Sequence, residues 1–366
     1  MSNPFQRALV VGKFCPLHLG HMHLLDAAAR ACAQLIIISY TKPEFDGCGP
    51  AVREAWLRTL YPAATVLVVD DAALARLPGE VRSMPHNDAD AAVHRDFVGW
   101  LCASVLASDV DAVFTSEDYG DGFAAALSVC FGHPVVHVCV DRQRITVPVS
   151  GTRARADPHA ERRFLPPLVR ASLVRRVLVL GAESSGKSTL AKALAARLDT
   201  CCVAEYGREL WVEKQGALVF DDLLRIAATQ VEREEVMRGD ARGWLVCDTS
   251  PLTTWWYSHE MFGRADPCLT ALAERSYDQV LLCAPDIPFE QDGTRRDTCH
   301  RARQHAWYLE QLAGRGIDYV LVGGSVEQRL AQALACLMIA APPVAGPRVE
   351  SGIGLTPAAY SGCSTT

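Results

Sequence analysis

Short apolar runs rich in Ile, Val and Leu recur along the first half of this chain, separated by Ala-rich segments with helical spacing. The runs lie at 8–11, 35–39, 65–69, 112–115 and 135–140. A strand that is apolar along its whole length has both faces covered, which is typical of a parallel sheet between two layers of helices. The pattern therefore predicts a doubly wound α/β domain.

A second series of apolar runs has the same rhythm and predicts a second doubly wound parallel-sheet domain. Its runs lie at 177–180, 244–247, 279–283 and 319–322, and a helical segment at 325–340 closes it. Both halves of the chain are therefore expected to share one fold class.

The boundary between the two domains is marked by a charged, proline-containing stretch, with a last helix of the first domain expected at 158–164. Domains typically contain roughly 100 to 200 residues. The 366 residues therefore divide into a domain at 1–165, a linker at 166–176 and a domain at 177–340. Residues 341–366 are rich in Pro, Gly, Ser and Thr without any period, and we expect them to be disordered.

The second domain carries a P-loop sequence, GAESSGKST, which directly follows its first apolar run and precedes helix-like residues. Strand, glycine-rich loop and helix in this order are the context that the motif requires. In such a loop, backbone N–H groups surround the phosphates of ATP, Lys187 neutralises the β and γ phosphates, and the Ser188 hydroxyl ligates Mg²⁺. The predicted ATP-binding residues are Gly181, Glu183, Ser184, Ser185, Gly186, Lys187, Ser188 and Thr189.

Three further residues of this domain are candidates for the same reaction. Asp248 ends the run at 244–247, where a sheet projects a carboxylate toward the Mg²⁺ of a P-loop; an acidic residue that merely ends a strand has the same appearance. Glu205 and Tyr206 offer a carboxylate and an aromatic ring suited to a nucleoside-like acceptor, although a solvated helix start reads similarly.

An arginine-rich stretch follows the third apolar run of this domain. It contains Asp292, Arg295 and Arg303, and guanidinium groups at this density are typical of a lid that covers a transferring phosphoryl group. A solvated basic face has the same composition. We name Arg295 and Arg303 as catalytic candidates and Asp292 as a substrate-binding candidate.

The first domain has a phosphate-handling loop of another design, GKFCPLHLGH, beginning at Gly12. His18 and His21 are separated by two residues, one of them a glycine, so both imidazoles can stabilise charge that develops on one phosphorus. The same spacing also occurs in metal-binding pairs and by chance. Lys13 and Phe14 belong to the predicted ATP-binding part of this loop.

The segment Ser-Gly-Thr-Arg-Ala-Arg follows the last apolar run of the first domain and opens a predicted helix. The hydroxyls of Ser150 and Thr152, with free N–H groups of the helix start, predict a second anion site, and Arg155 lies within reach of the same phosphates. An ordinary helix cap is the alternative. Combined with the two histidines, the segment predicts a nucleotidyltransferase.

Charge and cysteine content narrow the partners and the compartment. The formal net charge is −6 with scattered basic residues, so no basic footprint for nucleic acid or an anionic membrane is predicted. The 14 cysteines include no CxxC pair and there is no signal-like N-terminus, which argues against a disulfide framework or a zinc site. The sequence predicts a cytoplasmic protein that binds small phosphorylated molecules, and it leaves open whether the chain forms a homo-oligomer.

The motifs resemble one family in particular, the NadR-type bifunctional enzymes of NAD salvage, from about residue 8 to about residue 330. The markers are, in chain order, GKFCPLHLGH, a helix containing Trp56, TSE, VSGTRAR, FLP, ESSGKST, EYGRE, DT followed by TT, and Asp292-Gly293 with Arg295. The resemblance implies an N-terminal Rossmann-like domain with nicotinamide-mononucleotide adenylyltransferase activity. It also implies a C-terminal P-loop domain with ribosylnicotinamide kinase activity.

The implied reactions follow one another. The P-loop domain transfers the γ-phosphoryl group of ATP to nicotinamide riboside, with Mg²⁺ held by Ser188 and Asp248 and the acceptor hydroxyl oriented by Asp248 or Glu205. The first domain then joins the mononucleotide to the adenylyl group of ATP with release of pyrophosphate, and His18, His21, Ser150 and Arg155 stabilise the charge.

Three departures from the family pattern shape the expectations. Some members carry a helix-turn-helix domain ahead of the first strand, whereas the first apolar run of this chain begins at residue 8. Direct DNA binding is therefore not expected. Family members usually hold the nicotinamide ring with tryptophans in the segment before TSE. This chain has other residues there, so Phe97 or Trp100 would have to hold the ring instead. Ser250 stands where the family has an aspartate, so the acceptor preference of the kinase is open.

Two other functions fit the same motifs. The phosphate loops specify ATP rather than the acceptor, so a different adenylyltransferase joined to a different nucleoside kinase is one alternative. In the other, one domain has become a nucleotide sensor that regulates its neighbour or reports NAD status to a partner protein.

Overall fold

Ten strands in two five-stranded parallel sheets form the framework of the computed structural model, which describes residues 3–77, 82–289 and 297–339. The strand order is β3-β2-β1-β4-β5 in the first sheet and β10-β9-β6-β8-β7 in the second. Every pair of neighbouring strands is parallel. The predicted fold class, two doubly wound α/β domains, is confirmed.

The first sheet and its helices occupy the N-terminal half of the chain. Its strands are β1 (Phe5–Gly12), β2 (Cys32–Ser39), β3 (Thr65–Val68), β4 (Ala112–Thr115) and β5 (Val136–Cys139). The helices between them are α1 (Leu19–Ala31), α2 (Pro50–Leu60), α3 (Asp71–Leu74), α4 (Ala91–Trp100), which continues as a π-helical turn at Leu101–Val105, and α5 (Gly120–Phe131). The strand order reverses at β1, and ligands of such sheets bind beyond the carboxyl ends of strands at this point.

The second sheet follows a short connecting region that contains α6 (Gly151–Ala156), a 3₁₀ turn at Arg162–Phe164 and α7 (Pro167–Ser172). Its strands are β6 (Arg175–Gly181), β7 (Cys202–Val203), β8 (Trp244–Asp248), β9 (Gln279–Cys283) and β10 (Val320–Val322). Its helices are α8 (Lys187–Arg197), α9 (Tyr206–Glu213), α10 (Phe220–Arg238), α11 (Pro251–Phe262), α12 (Pro267–Ala273), α13 (Thr298–Gly314) and α14 (Val326–Ile339).

The central strand β6 shows why a strand of this sheet is apolar throughout. Leu178 and Leu180 pack into a core that includes Tyr308 of α13, whereas Val177 and Val179 pack into a core with residues of α8 and α14. Successive side chains of a strand point to opposite faces, and here helices cover both faces.

The chain divides into two compact units. One contains residues 3–15 and His21–Thr146, and the other contains Pro16–Gly20 and the described residues from Val147 onward. The phosphate-handling loop of the N-terminal half is therefore divided between the units, and its two parts have different surroundings.

The helix predicted at 158–164 is wrong. Asp157 instead accepts hydrogen bonds from the backbone N–H groups of His159 (3.0 Å) and Ala160 (2.9 Å), and the short 3₁₀ turn follows. A side chain that bonds the next backbone amides competes with helical hydrogen bonding, which is why Asp favours turns over helix interiors. The actual helix of this region, α6, lies earlier, where Ser150 caps it.

The described part of the chain has neither a disulfide bond nor a membrane-spanning helix. Its thirteen cysteines are all free thiols. No helix within residues 3–77, 82–289 and 297–339 combines the length and the apolar character needed to cross a bilayer.

Candidate functional site

The P-loop connects β6 to α8 through backbone conformations that depend on its small residues. Gly186 has a φ of 80° and Ser184 a φ of 53°, in the left-handed region that few residues other than glycine adopt readily. A Cβ on Gly181 would lie 2.5 Å from Ser185 Oγ and 2.9 Å from Cys283 Cβ, so only glycine fits. The glycines of the motif therefore determine the shape of the loop.

The charged and polar groups of the loop are arranged for a polyanion. Lys187 Nζ donates to the carbonyl of Ala182 at 3.1 Å, which folds the ammonium group back over the loop. Ser185 is fully buried, and its Oγ has no hydrogen-bond partner in the described part of the chain. The loop leads directly into the N-terminus of the 11-residue helix α8, whose free N–H groups and dipole favour anions.

A buried arginine far away in sequence fixes the loop from behind. Arg329 of α14 is 2% exposed and donates to the carbonyls of Ser185 (2.6 Å), Ala284 (3.1 Å) and Gly324 (2.9 Å). It also pairs with the carboxylate of Asp286. The guanidinium thus joins the P-loop, the segment after β9 and the segment after β10, and sequence reasoning missed it.

Replacing Arg329 by methionine should destabilise the second unit and weaken ATP binding. Three carbonyls lose their hydrogen-bond donor in this variant. Because buried polar groups without a partner are costly, the free energy of unfolding should fall by about 2–4 kcal/mol. Chemical denaturation and the KM for ATP measure the two effects. Arg197→Met, at an exposed position on α8, is the matched control, and equal effects of the two substitutions would contradict the role assigned to Arg329.

Asp248 ends β8 beside the P-loop strand and has the surroundings of a metal ligand. Its backbone is in register with Val179 of β6, it is 4% exposed, and its Oδ1 has no hydrogen-bond partner among the residues that the structure describes. A buried carboxylate oxygen of this kind, with the Ser188 hydroxyl, supplies the hard oxygen donors that Mg²⁺ prefers. The two residues predicted as metal ligands therefore fit the ion.

A cavity with a volume of about 340 Å³ lies beside the P-loop. This volume is typical of small-molecule sites. Lys187, Glu183 and Glu205 contribute charged groups to its wall, and Trp211 and Tyr257 contribute aromatic rings. The other lining residues are Gly207, Arg208, Gly216, Leu218, Leu223, Ile226, Gln230, Thr249, Thr253, Thr254 and Met261. A mixed polar and aromatic lining next to a phosphate loop suits a polar ring compound with hydroxyl groups.

Glu205 is the carboxyl group of this cavity with the most perturbed environment. Burial raises its pKa above the ordinary value of 4.5, the nearby Lys187 opposes the rise, and the charges of Asp248 and Glu183 add to it. Arg208 Nε lies 3.7 Å from its Oε2. A carboxyl group with a raised pKa in a cavity is suited to accept a proton from a reacting hydroxyl.

The raised pKa of Glu205 has a testable effect on stability. The folded state favours the protonated form of Glu205. The free energy of unfolding of the wild type therefore falls as the pH rises from 4.5 through the pKa of Glu205 in the folded state, and it stops falling above that pKa. Glu205→Gln removes this loss, so its gain in Tm over wild type should grow with pH through that window and then level off. Glu213→Gln, at an exposed position of the helix α9 that directly follows Glu205, is the matched control. A gain for Glu205→Gln that does not depend on pH would refute the assignment.

Glu183 lies in the P-loop sequence, yet its side chain lines the cavity. Tyr257 of α11 donates its hydroxyl to Glu183 Oε1 at 2.8 Å, and the backbone N–H of Glu183 donates to Gln304 Oε1 at 2.8 Å. His300 Nε2 lies 3.7 Å from the same carboxylate oxygen. Sequence reasoning assigned Glu183 to ATP and missed Tyr257, although Tyr257 lies one helical turn after the Thr253-Thr254 pair.

The other predicted residues of this half are distributed differently. Tyr206 is 8% exposed and packs in an apolar cluster with Leu210 and Leu223, so it supports the cavity rather than lining it. Arg303 extends from α13 and pairs with the carboxylate of Glu260. Thr189 is exposed on α8. Asp292 and Arg295 lie outside the described residues.

In the first unit, the start of the GKFCPLHLGH loop adopts a constrained conformation. Phe14 has a φ of 50° and is buried, with its ring 5.1 Å from that of His21 in an edge-on contact. A Cβ on Gly12 would lie 3.0 Å from the Phe14 ring, so a larger residue there would press against that ring. The carbonyl of Lys13 accepts a hydrogen bond from Ser39 Oγ at 3.3 Å. Left-handed non-glycine residues of this kind concentrate at functional sites.

A fully buried arginine supports this part of the loop. Arg53 of α2 donates to Ser39 Oγ (3.1 Å) and to the carbonyl of Cys48 (2.7 Å), and it pairs with Glu44. A hydrogen bond from Cys48 and the positive charge of Arg53 lower the pKa of the Cys15 thiol against the effect of burial. The sequence indicated a helix here, but not that its arginine is in the core.

The two aromatic candidates of the first unit lie side by side on α4. Phe97 is 3% exposed in the core and packs edge-on against Tyr40 at 5.2 Å. Trp100 is half-buried, 5.8 Å from the Phe97 ring, with the Arg82 guanidinium 5.8 Å from its centroid. Of the two rings, that of Trp100 belongs to the more exposed residue.

In the second unit, His18 is 4% exposed, and a Cβ on Gly20 would lie 3.1 Å from its ring and 3.3 Å from Val149. The glycine between the histidines therefore allows close packing. Ser150 caps α6 by accepting from the N–H of Arg153 at 3.3 Å. Arg155 donates to Thr152 Oγ1 at 3.2 Å, so these two predicted residues contact each other.

Comparisons with known proteins give relatives over most of the chain. A family model described as an AAA domain matches residues 176–329. The chain is 27% identical over 332 residues to the "Trifunctional NAD biosynthesis/regulator protein NadR" of Escherichia coli strain K12, covering 86% of this chain and 78% of that protein. The protein of the same name from Salmonella typhimurium strain LT2 is 27% identical over 346 residues, with the same two coverages.

Solved structures give the same fold. The crystal structure of a NadR protein in complex with NR has a TM-score of 0.61 at 19% identity and covers 91% of this chain and 95% of its own. A second one, in complex with NAD and AMP-PNP, has the same TM-score and identity, covering 93% of this chain and 98% of its own.

Proposed function

Because this chain is similar to NadR proteins over most of its length, we propose that it is a bifunctional enzyme of NAD salvage. Its P-loop domain, 177–340, phosphorylates nicotinamide riboside, and its N-terminal domain, 1–165, adenylylates the resulting mononucleotide to NAD. The observation that carries the proposal is the cavity beside the P-loop, where Lys187, Glu205 and aromatic side chains line one space.

In the kinase reaction, the 5′-hydroxyl of the riboside attacks the γ-phosphorus of ATP. The new O–P bond forms as the bond to the β-phosphate oxygen breaks, and the hydroxyl proton passes to the carboxylate of Glu205 or Asp248. Lys187 and the N–H groups of the loop stabilise the charge on the transferring group. Ser188 and Asp248 would hold Mg²⁺, which neutralises phosphate charge when bound.

The raised pKa of Glu205 favours it as the proton acceptor, since its basicity is then closer to that needed near neutral pH. Asp248, with a buried oxygen next to the loop, then serves the metal. Arg295 and Arg303 supply positive charge that stabilises the transferring group. Asp292 helps to hold the acceptor, and Tyr206 supports the cavity wall from the apolar cluster behind it.

In the adenylyltransferase reaction, a phosphate oxygen of nicotinamide mononucleotide attacks the α-phosphorus of ATP, and pyrophosphate leaves. His18, His21, Ser150 and Arg155 stabilise the charge that develops there. Gly12, Lys13, Phe14 and Thr152 bind ATP, and Trp100 beside Phe97 holds the nicotinamide ring. The product of the P-loop domain is thus the substrate of the N-terminal domain.

The test is product analysis after purified protein is incubated with Mg-ATP and nicotinamide riboside. NAD is expected, with the mononucleotide as an intermediate. Mononucleotide without NAD would refute the adenylyltransferase assignment and direct attention to Phe97 and Trp100. Neither product would refute both assignments, and other nucleosides would then be tried because Ser250 replaces the family's aspartate.

A further inference from the structure

The residue after Asp248 has an unusual backbone. Thr249 has a φ of 75°, which is a clear outlier for a β-branched side chain. Its N–H donates to the carbonyl of Val179 at 3.2 Å, so the conformation is fixed against the strand that leads into the P-loop. Conformations of this kind cost roughly 1–3 kcal/mol and concentrate at functional sites.

The Thr249 hydroxyl is buried but lacks a protein partner. The residue is 5% exposed and lines the cavity, and its Oγ1 has no hydrogen bond to any described residue. Thr253 of the same wall differs in this respect, because its Oγ1 shares a hydrogen bond of 2.7 Å with the Tyr308 hydroxyl. Since buried hydroxyls are nearly always hydrogen-bonded, the partner of Thr249 is expected from a ligand in the cavity.

The position of Thr249 identifies which part of the ligand it meets. It directly follows Asp248, and its amide is bonded to β6 two residues before that strand enters the P-loop. Lys187 lines the same cavity. Thr249 therefore lies at the end of the cavity where phosphoryl transfer takes place.

We propose that the Thr249 hydroxyl hydrogen-bonds the acceptor hydroxyl that becomes phosphorylated, and that its left-handed backbone holds it in that position. This inference rests on the proposed kinase function. Thr249 orients the acceptor hydroxyl, and Glu205 takes the proton that this hydroxyl loses. The acceptor class is a ring compound with a primary hydroxyl group.

The test compares three substitutions in the full chain. Thr249→Val keeps the shape without the hydroxyl and should lower kcat/KM for the riboside roughly 10- to 100-fold, the loss expected for one hydrogen bond in a desolvated site. The KM for ATP should be unchanged. Thr249→Ser keeps the hydroxyl and should retain most of the activity. Thr270→Val, at an exposed position of α12, is the control for the same chemical change.

Thr249→Gly separates the backbone from the hydroxyl. Glycine adopts the left-handed conformation without strain, so this variant should have a higher Tm than Thr249→Ala, which lacks the same hydroxyl and methyl groups but keeps the strained Cβ. In both variants kcat/KM should fall as in Thr249→Val. A glycine variant no more stable than the alanine variant would refute the strain.

Two outcomes would overturn the inference alone: a valine variant as active as wild type, or serine and valine variants that lose activity equally. Wild-type protein that phosphorylates no riboside would instead refute the proposed function, and this inference with it. Wild type is therefore assayed first with a panel of nucleosides, and the variants are compared on the best acceptor.

Discussion

Replacing Lys187 by alanine is expected to abolish phosphorylation of nicotinamide riboside, with a fall in rate of about 10³-fold or more, while mononucleotide adenylylation continues. The ammonium group is already held over the loop by its 3.1 Å hydrogen bond to the carbonyl of Ala182. Removing a preorganised charge from a transferring phosphoryl group typically costs 10²- to 10³-fold, and Lys187 also contributes to binding the triphosphate.

The two half-reactions are assayed separately, with the riboside or the mononucleotide as the only acceptor. Lys192→Ala, at an exposed position of the same helix, should leave both rates unchanged. If the Lys187 variant lost both activities in a folded protein, two independent sites would be untenable. If it lost neither, the P-loop would not be the kinase site.

Replacing His21 by alanine is expected to have the reverse effect: adenylylation should fall about 10²- to 10³-fold, and riboside phosphorylation should continue. His21 lies in the first turn of α1 with its ring packed edge-on against Phe14, so its orientation is set before ATP binds. An imidazole held in this way stabilises charge at the α-phosphorus without reorganisation during the reaction.

His23→Ala is the matched control, two positions further along the same helix, and should be close to wild type in both assays. Pyrophosphate release measures adenylylation directly. An unchanged rate of release in the His21 variant would remove this residue from the mechanism and leave His18 as the histidine to test.

Local sequence patterns predicted the strands and the P-loop because each of these elements is determined by residues that are close together in the chain. The alternating apolar and Ala-rich segments predicted nine of the ten strands, and the glycines predicted the shape of the P-loop. The missed strand, β7, contains only Cys202 and Val203, which is too short for a period to be visible. The helix expected at 158–164 was wrong because the Asp157 side chain bonds the amides that follow it.

The site was only partly predictable because several of its contacts join distant residues. Arg329 and Ser185 are 144 residues apart, and Glu183 and Tyr257 are 74 apart. No local pattern encodes such pairs; they depend on how α11, α13 and α14 pack around the sheet. The roles of the predicted residues in turnover stay predictions until the variants are assayed.

The position of Arg329 also imposes an order on biosynthesis. A nascent chain that has left the ribosome as far as α13 contains the whole P-loop motif and four of the five strands of its sheet. It still lacks the guanidinium group that holds the Ser185 carbonyl. The nucleotide site of this domain is therefore completed only when α14 emerges, so translation reaches the last described helix before ATP can bind to a finished loop.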